Sequence, residues 1–136
     1  MIILLTMSLL TIQDNHRIPD LEKVLLSNQW RNITAYLHED IYVRLNLRPL
    51  LNDRGRLSRS QLLYSVRKLF SRYEITKVQQ DDFKSDTNYS KIEITARCKI
   101  YNKRTRTFSH GVFLFMFSFH NNRAILTHWS LTDFSP

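Results

Sequence analysis

The segment from Lys91 to Asp133 constrains the fold of this chain most strongly, because it reads as consecutive β-strands joined by two tight turns. In the first strand apolar and polar side chains alternate, whereas the stretch from Thr107 to Phe119 is apolar on both faces. A sheet that is apolar on both faces must be covered on both sides. The segment therefore predicts an antiparallel sheet with helices on one face and a second cover, such as a partner subunit, on the other.

Length and charge narrow the class of protein but do not name a reaction. A chain of 136 residues is one ordinary domain, long enough for a single hydrophobic core. The formal net charge of +8 suits contact with an anionic partner, and an ordinary basic surface is the alternative. The single cysteine, Cys98, excludes an intramolecular disulfide, and its apolar position in a strand predicts a packing role.

Residues 1–16 form an apolar N-terminal segment that we treat separately from a single domain over 17–136. The run from Met1 to Ile12 is too short to cross a bilayer, which takes about 20 residues, so no transmembrane span is predicted. It resembles the apolar region of a secretory signal but lacks a basic region before it. We interpret it as a truncated signal peptide of an exported or periplasmic protein. The alternative is a segment that packs on the body of a cytoplasmic protein.

Helical and strand periods alternate before the C-terminal sheet. A helix is predicted to begin at Pro19, a short helix follows through Trp30 and Leu37, and alternation predicts a strand over Ile41–Leu47. Residues 48–57 read as a loop. Ser58 and Gln61 form a capping-box pattern before a helix whose apolar face holds Leu62, Val66, Leu69, Phe70 and Tyr73. From residue 75 to residue 83 the period of two predicts another strand, so the fold class is α+β.

The two turns fix the strand register, and the register assigns each side chain to a face. Two-residue turns at 102–103 and 121–122 would pair Ile92 with Phe113, Phe115 with His128 and Leu114 with Trp129. The predicted inner face, covered by helices, holds Ile92, Ile94, Ala96, Cys98, Phe113, Phe115, Phe117, Leu126 and His128. The predicted outer face holds Glu93, Thr95, Arg97, Val112, Leu114, Met116, Ile125, Thr127, Trp129 and Leu131.

The outer face would carry a contiguous apolar patch, which is the kind of surface that marks an interaction site. A symmetric sheet-to-sheet homodimer would cover it, and the N-terminal apolar run folding back is the alternative. The predicted dimer interface consists of Leu114, Met116, Thr127 and Trp129.

The order helix, short helix, strand, helix and antiparallel sheet resembles the nuclear transport factor 2-like superfamily, a cystatin-like α+β cone. The stretch LLSNQWRNITAYLHEDIYVRL resembles its opening, with residues 36–40 leading into the first strand, and SRSQLLYSVRKLFSRY and ILTHWSLTD also fit. The resemblance covers about Pro19 to Asp133 and is similar to the domain of unknown function 4783 type. It implies a sheet that wraps the helices into a cone with a pocket at its open end, and dimers through the outer sheet face.

A pocket in such a cone would be lined by Tyr42, Phe115, Phe117, His128 and Ser130. His128 is the weak candidate for an acid or base near neutral pH, and a hydrogen-bonded core histidine is the alternative. Proton-moving enzymes of this superfamily place a carboxylate or paired histidines in the cone. No acidic residue falls at a predicted inward position of the last three strands, so no catalytic residue is assigned.

Basic residues cluster before the capped helix, and Arg48, Arg54, Arg56 and Arg59 are the predicted anion-binding set. A solvated basic surface is the alternative. Aromatic residues for base stacking are scarce beside such clusters, so nucleic acid is the less favoured partner. His110 and His120 lie roughly 33 Å apart along a strand and cannot share a metal ion. Without a phosphate-binding loop or a hydrolase motif, the sequence predicts no metal and no cofactor.

The sequence favours a non-catalytic module that binds a small apolar or anionic ligand or a protein, exported and dimeric through the outer sheet face. An isomerase- or dehydratase-like enzyme using His128 is one alternative. A basic protein that binds anions or nucleic acid is the other.

Overall fold

The structure is a computed structural model that describes residues 21–26, 29–85 and 90–136 of the chain. Its helices are α1 (Leu21–Leu25), the 3₁₀ helix η1 (Gln29–Tyr36) and α2 (Arg59–Arg72). Its strands are β1 (Val43–Asn46), β2 (Arg54–Leu57), β3 (Tyr73–Ser85), β4 (Lys91–Asn102), β5 (Thr107–His120) and β6 (Arg123–Ser135). The N-terminal run, with the signal-peptide and export interpretation, lies outside the described residues and stays a prediction.

Helix α2 forms as its capping box predicts. The Ser58 hydroxyl accepts a hydrogen bond from the Gln61 amide at 3.3 Å, and the Gln61 side chain accepts one from the Ser58 amide at 2.9 Å. These bonds satisfy backbone donors that a helix start otherwise leaves unpaired. The helix buries Leu62, Val66 and Phe70 and ends at Arg72. Tyr73, predicted on the helix face, begins β3 instead because the backbone turns extended there.

The strands form one curved, mixed sheet in the order β2-β1-β6-β5-β4-β3. Long antiparallel hairpins join β3 to β6, as predicted, but β1 pairs in parallel with β6, so the sheet is mixed and not wholly antiparallel. Strand β2 lies within the stretch that was predicted to be a loop. Its RGRL sequence has no apolar alternation to indicate a strand, and Gly55 adopts a φ of 102°. The helices cover the inner face, so the α+β class is confirmed.

The β4–β5 hairpin has a longer loop than the predicted two-residue turn. Asn102 pairs with Thr107, and the Asn102 side chain accepts hydrogen bonds from the amides of Arg104 and Thr105 at 3.0 and 3.2 Å. These bonds stabilise a four-residue loop. The predicted pairing of Ile92 with Phe113 is therefore wrong, because Ile92 pairs with Phe117. The shift is an even number of residues, so both strands keep the faces predicted for them.

The β5–β6 hairpin contains the irregularity that changes the site. Asn121 and Asn122 adopt φ values of 52° and 63° in the predicted tight turn, and Phe117 pairs with Leu126 in the predicted register. The next pair is Met116 with His128, so Thr127 is an extra residue, or β-bulge. From His128 to the second register shift, near Asp133, the side chains of β6 lie on the face opposite to the one predicted, so Leu131 also moves to the inner face, opposite Phe113.

The bulge at Thr127 places the Trp129 side chain in the core. It is 0% exposed, and its ring stacks on Phe115 at 5.3 Å and meets Phe113 edge-on at 5.8 Å. A cross-strand row of Leu45, Trp129, Phe115 and Ile94 fills the centre of the inner face. Burial of a large indole ring stabilises the fold more than burial of an imidazole at that position, which accounts for the face that the bulge selects.

Candidate functional site

The residues predicted to line a pocket inside the cone do not assemble. Phe115 and Phe117 lie on the inner face, but both are buried and their rings stack at a centroid distance of 6.4 Å. Tyr36 contacts Phe117 edge-on at 6.0 Å. This part of the interior is packed with aromatic rings.

Three members of the predicted pocket lie elsewhere. His128 and Ser130 face outward, because the bulge at Thr127 reverses their faces, and the predicted pairing of Phe115 with His128 is therefore wrong. Tyr42 is 53% exposed, and the Arg56 guanidinium lies 5.9 Å from its ring centroid. The inward placement of His128 and Ser130 is thus corrected, and the candidate acid–base residue is not in the interior.

His128 instead belongs to a row of cross-strand neighbours on the outer face, which we call the charged row. The row runs from Arg56 on β2 through Arg44 on β1, His128 on β6 and Met116 on β5 to Glu93 on β4. It is basic at the β2 end and acidic at Glu93, which has the basic Lys84 of β3 as its cross-strand neighbour on the other side. Side chains directly opposite each other on adjacent strands interact, so the part of this row from β2 to β4 carries a charge gradient.

The surroundings of His128 favour its neutral form. Desolvation of the half-buried imidazole and the neighbouring Arg44 lower its pKa below the ordinary value of 6.5, against a smaller opposing effect of Glu93. A cationic imidazole in this position would lie next to a guanidinium. The neutral ring is therefore the form that the folded protein prefers.

Stability is expected to fall as the pH drops below 6.5, because the unfolded chain then takes up a proton on His128 more readily than the folded protein does. The measurement is the free energy of unfolding in urea at pH 7.5 and at lower pH values, for the wild type and for His128→Gln. The variant should lose part of this pH dependence. Equal slopes for the two proteins would contradict the placement of His128 beside Arg44.

The predicted dimer-interface residues divide between two places. Leu114 and Met116 are half-buried on the outer face, as predicted. Thr127 forms the bulge, where its hydroxyl donates to the Met116 carbonyl at 3.1 Å. Trp129 is in the core and therefore is not an interface residue. The predicted pairing of Leu114 with Trp129 is wrong, because Leu114 pairs with Ser130.

The predicted anion-binding arginines lie along the β1–β2 edge of the sheet. Arg48 is exposed after β1, Arg54 and Arg56 are exposed on the edge strand β2, and Arg59 is the first residue of α2. Arg56 pairs with Arg44, so two arginines lie opposite each other on adjacent strands. Charged side chains on an edge strand also discourage pairing with other chains.

Cys98 has the packing role predicted for it. Burial raises the pKa of its thiol to about 12, so the thiolate needed for nucleophilic chemistry is not formed near neutral pH. In the part of the chain that the structure describes, no cluster of three or more histidine, cysteine or acidic residues could hold a metal ion. Over the same residues, no helix has the length and apolar character to cross a membrane.

A groove of about 550 Å³ between η1 and α2 was not predicted. It is lined by Trp30, Arg31, Thr34, Leu63, Tyr64 and Arg67. The Arg31 guanidinium lies 5.5 Å from the Trp30 ring, and Tyr64 is 67% exposed. Residues some thirty positions apart meet here, so no local sequence pattern could have grouped them.

A second groove, of about 320 Å³, opens on the outer face where β3, β4 and β5 meet the end of β6. We call it the outer groove; its lining residues are Lys77, Gln79, Arg97, Cys98, Lys99, His110, Gly111, Val112 and Asp133. Lys77, His110 and Asp133 were not among the predicted site residues. No local sequence pattern indicated these residues, because bulges in β3 and between β5 and β6 bring them together.

No family model and no curated protein sequence matches this chain. Solved structures do match its fold. A DUF4783 family protein from Bacteroides fragilis YCH46 is 12% identical with a TM-score of 0.64, over 85% of this chain and 97% of that one. An NTF2-like protein from Cytophaga hutchinsonii ATCC 33406 is 9% identical with a TM-score of 0.57, over 92% of this chain and 95% of that one.

A third similar structure is an LEH-like epoxide hydrolase from M. tuberculosis, which is 14% identical with a TM-score of 0.53, over 81% of this chain and 70% of that one. At such identities the likeness concerns the fold alone. The similarity covers between 81% and 92% of this chain, and the fold is the one that the element order predicted. The chain therefore has the nuclear transport factor 2-like fold and is similar in structure to DUF4783 family proteins.

Proposed function

We propose that this protein is a non-catalytic binding module that pairs with a second copy of itself through the outer face of the sheet. The packed interior supports the first part of the proposal. Phe113, Phe115 and Trp129 are each 0% exposed and pack against one another where a cone enzyme would hold its substrate. A protein of this kind acts through its surface, so the outer face is where we look for the partner.

The charge gradient of the outer face is the observation that supports the proposed association of two copies. Half-buried Met116 and His128 lie at its centre, Arg44 lies one strand beyond His128, and Glu93 lies one strand beyond Met116. A two-fold axis parallel to the strands, midway between β5 and β6, exchanges β1 with β4. It therefore sets Arg44 of one copy against Glu93 of the second copy, twice per dimer.

This arrangement has the self-complementarity that a symmetric interface requires. Arg44 and Glu93, which have opposite charges, flank the less polar side chains of the centre, as is usual at a protein–protein interface. The like charges of Arg56 and Lys84 lie one strand farther out, at the two ends of the sheet. Leu114, in the next outer row between Thr95 and Ser130, would extend that centre.

An enzyme of the epoxide-hydrolase kind is the alternative function that one of the similar structures suggests. We favour it less, because the chemistry would need a polar group inside the cone. His128, the residue considered for that role, faces outward beside Arg44. The buried thiol of Cys98 stays protonated near neutral pH.

Light scattering during size exclusion tests the pairing. The wild type is expected at twice the mass of one chain, and Leu114→Lys at the mass of one chain. Each dimer would bury two lysines, and at about 2 kcal/mol or more for each the dissociation constant would rise more than about 100-fold. Leu63→Lys, which alters a half-buried leucine on α2, is the matched control and should remain dimeric. A monomeric wild type at high concentration would end the proposal.

A further inference from the structure

We propose that the outer groove is a binding site for a small organic anion that carries a carboxylate or phosphate group. This inference goes beyond the pairing of two copies, since neither the interface nor the core requires such a ligand. The groove has a volume of about 320 Å³, at the lower end of the range of about 300–1,000 Å³ found for small-molecule sites. Val112 lines it together with charged residues, so the ligand would have an apolar part beside its anionic group.

The basic residues of the groove lie on adjacent strands, where their positive charges repel one another. Lys77 on β3 pairs directly with Lys99 on β4, and Lys99 pairs with His110 on β5. Like charges directly opposite each other destabilise a sheet. No carboxylate of the described residues lies within 4.0 Å of either lysine amine, although Lys99 lies 4.5 Å from the centre of the Phe108 ring. An anion between the two amines would offset this repulsion.

A β-bulge creates the lysine pair. Ile75 pairs with Ile100 and the next pair is Lys77 with Lys99, so Thr76 is the extra residue. Ile75 and Val78 are both buried, and without the bulge Lys77 would follow Ile75 onto the inner face. Bulges are frequent next to functional sites, where they re-aim a side chain.

A second irregularity shapes the opposite wall. Between the pairs His110–Ser135 and Val112–Thr132 the register shifts, and Asp133 adopts a φ of 51°. A non-glycine residue at such a φ is uncommon. Gly111 lies beside it, and a Cβ atom there would come within 2.6 Å of Leu131 Cδ1, so the leucine side chain would have to move.

The remaining charges orient the ligand. The Arg97 guanidinium donates two hydrogen bonds to Asp81, at 2.7 and 2.8 Å. These bonds fix the Arg97 side chain as one wall of the groove, and the Asp81 carboxylate offsets its positive charge. Asp133 is the carboxylate among the lining residues, and it lies on β6, at the far side of the groove from Lys77. The anionic group would therefore lie between Lys77 and Lys99, away from Asp133.

Nuclear magnetic resonance titration of the full chain with phenyl phosphate and, separately, benzoate tests the site. Saturable shifts of the Gly111 and Val112 amides are expected with at least one probe, and the tighter probe identifies the anionic group. Lys77→Gln and Lys99→Gln should each weaken that binding about tenfold or more, the effect of losing a hydrogen bond to a charged group. Their thermal midpoints should be unchanged or higher, because each substitution removes the lysine repulsion.

Lys84→Gln is the matched control, since Lys84 is an exposed lysine farther along β3 that pairs with Asp82 at 3.7 Å. It should bind the probe as the wild type does. Two outcomes would overturn the inference. One is the absence of saturable shifts at the groove with both probes, and the other is an equal loss of binding in all three lysine variants, which would indicate general attraction to a basic surface.

Discussion

Replacing Trp129 with alanine is expected to lower the free energy of unfolding by about 3–5 kcal/mol, the range for large aromatic residues removed from protein cores. The indole is fully buried between Phe113 and Phe115, and the cavity left behind could not be filled without moving both rings. Since small domains are stable by only about 5–15 kcal/mol, the variant would be close to unfolding at room temperature. Urea denaturation followed by circular dichroism measures the change.

His128→Ala is the control for this experiment, because the two residues are adjacent on β6 and face opposite sides. It should cost about 1 kcal/mol or less at pH 7.5, as is usual for a partly exposed side chain. If the bulge at Thr127 were absent, the result would reverse: Trp129 would face outward and His128 would be the core residue. A small loss for Trp129→Ala and a large one for His128→Ala would therefore contradict the register of β6.

Reversing one charge of the charged row is expected to weaken the dimer strongly, and reversing both is expected to restore it. In the proposed pairing, Arg44→Glu sets glutamate against Glu93 of the second copy, and Glu93→Lys sets lysine against Arg44. Like charges brought together across an interface cost several kcal/mol, and each change occurs twice in a symmetric dimer. Each single variant should therefore raise the dissociation constant at least about 100-fold, measured by sedimentation equilibrium at low salt.

The double variant carries both reversals and again places opposite charges face to face. It should recover most of the lost affinity, which a non-specific effect on folding would not produce. Arg31→Glu, at an exposed arginine of η1, is the control for a change of net charge and should leave the dimer intact. Independent, additive losses in the double variant would rule out the proposed two-fold axis, even if a dimer forms in another way.

Local patterns predicted those elements whose stabilising contacts are close in the sequence. The capping box at Ser58 and Gln61, the helical stripe of α2 and the tight turn at 121–122 are all present. Alternation over β4 and β5 assigned their faces correctly, even though the hairpin loop was longer than expected. Strand β2 was missed because its pairing with β1, and not its own sequence, makes it a strand.

The candidate site could not be predicted in the same way, because its residues are set by β-bulges. One extra residue at Thr127 moved His128 out of the interior and Trp129 into it, which removed the predicted pocket and changed the predicted interface. One extra residue at Thr76 set Lys77 opposite Lys99 in the outer groove. A bulge shifts the phase of the apolar alternation by one residue, but residues 124–126 are apolar at every position, so the sequence does not show where that shift occurs.

The sequence by itself determined that this chain is an α+β domain whose helices cover a curved sheet, since periodicity, capping and turn residues act over a few positions. Only the tertiary structure decided which side chains share a face after each bulge. The physical reason is that the choice depends on what each side chain meets across the strands. Trp129 is buried because Phe113 and Phe115 lie on the neighbouring strand, and His128 faces outward beside Arg44 as a consequence.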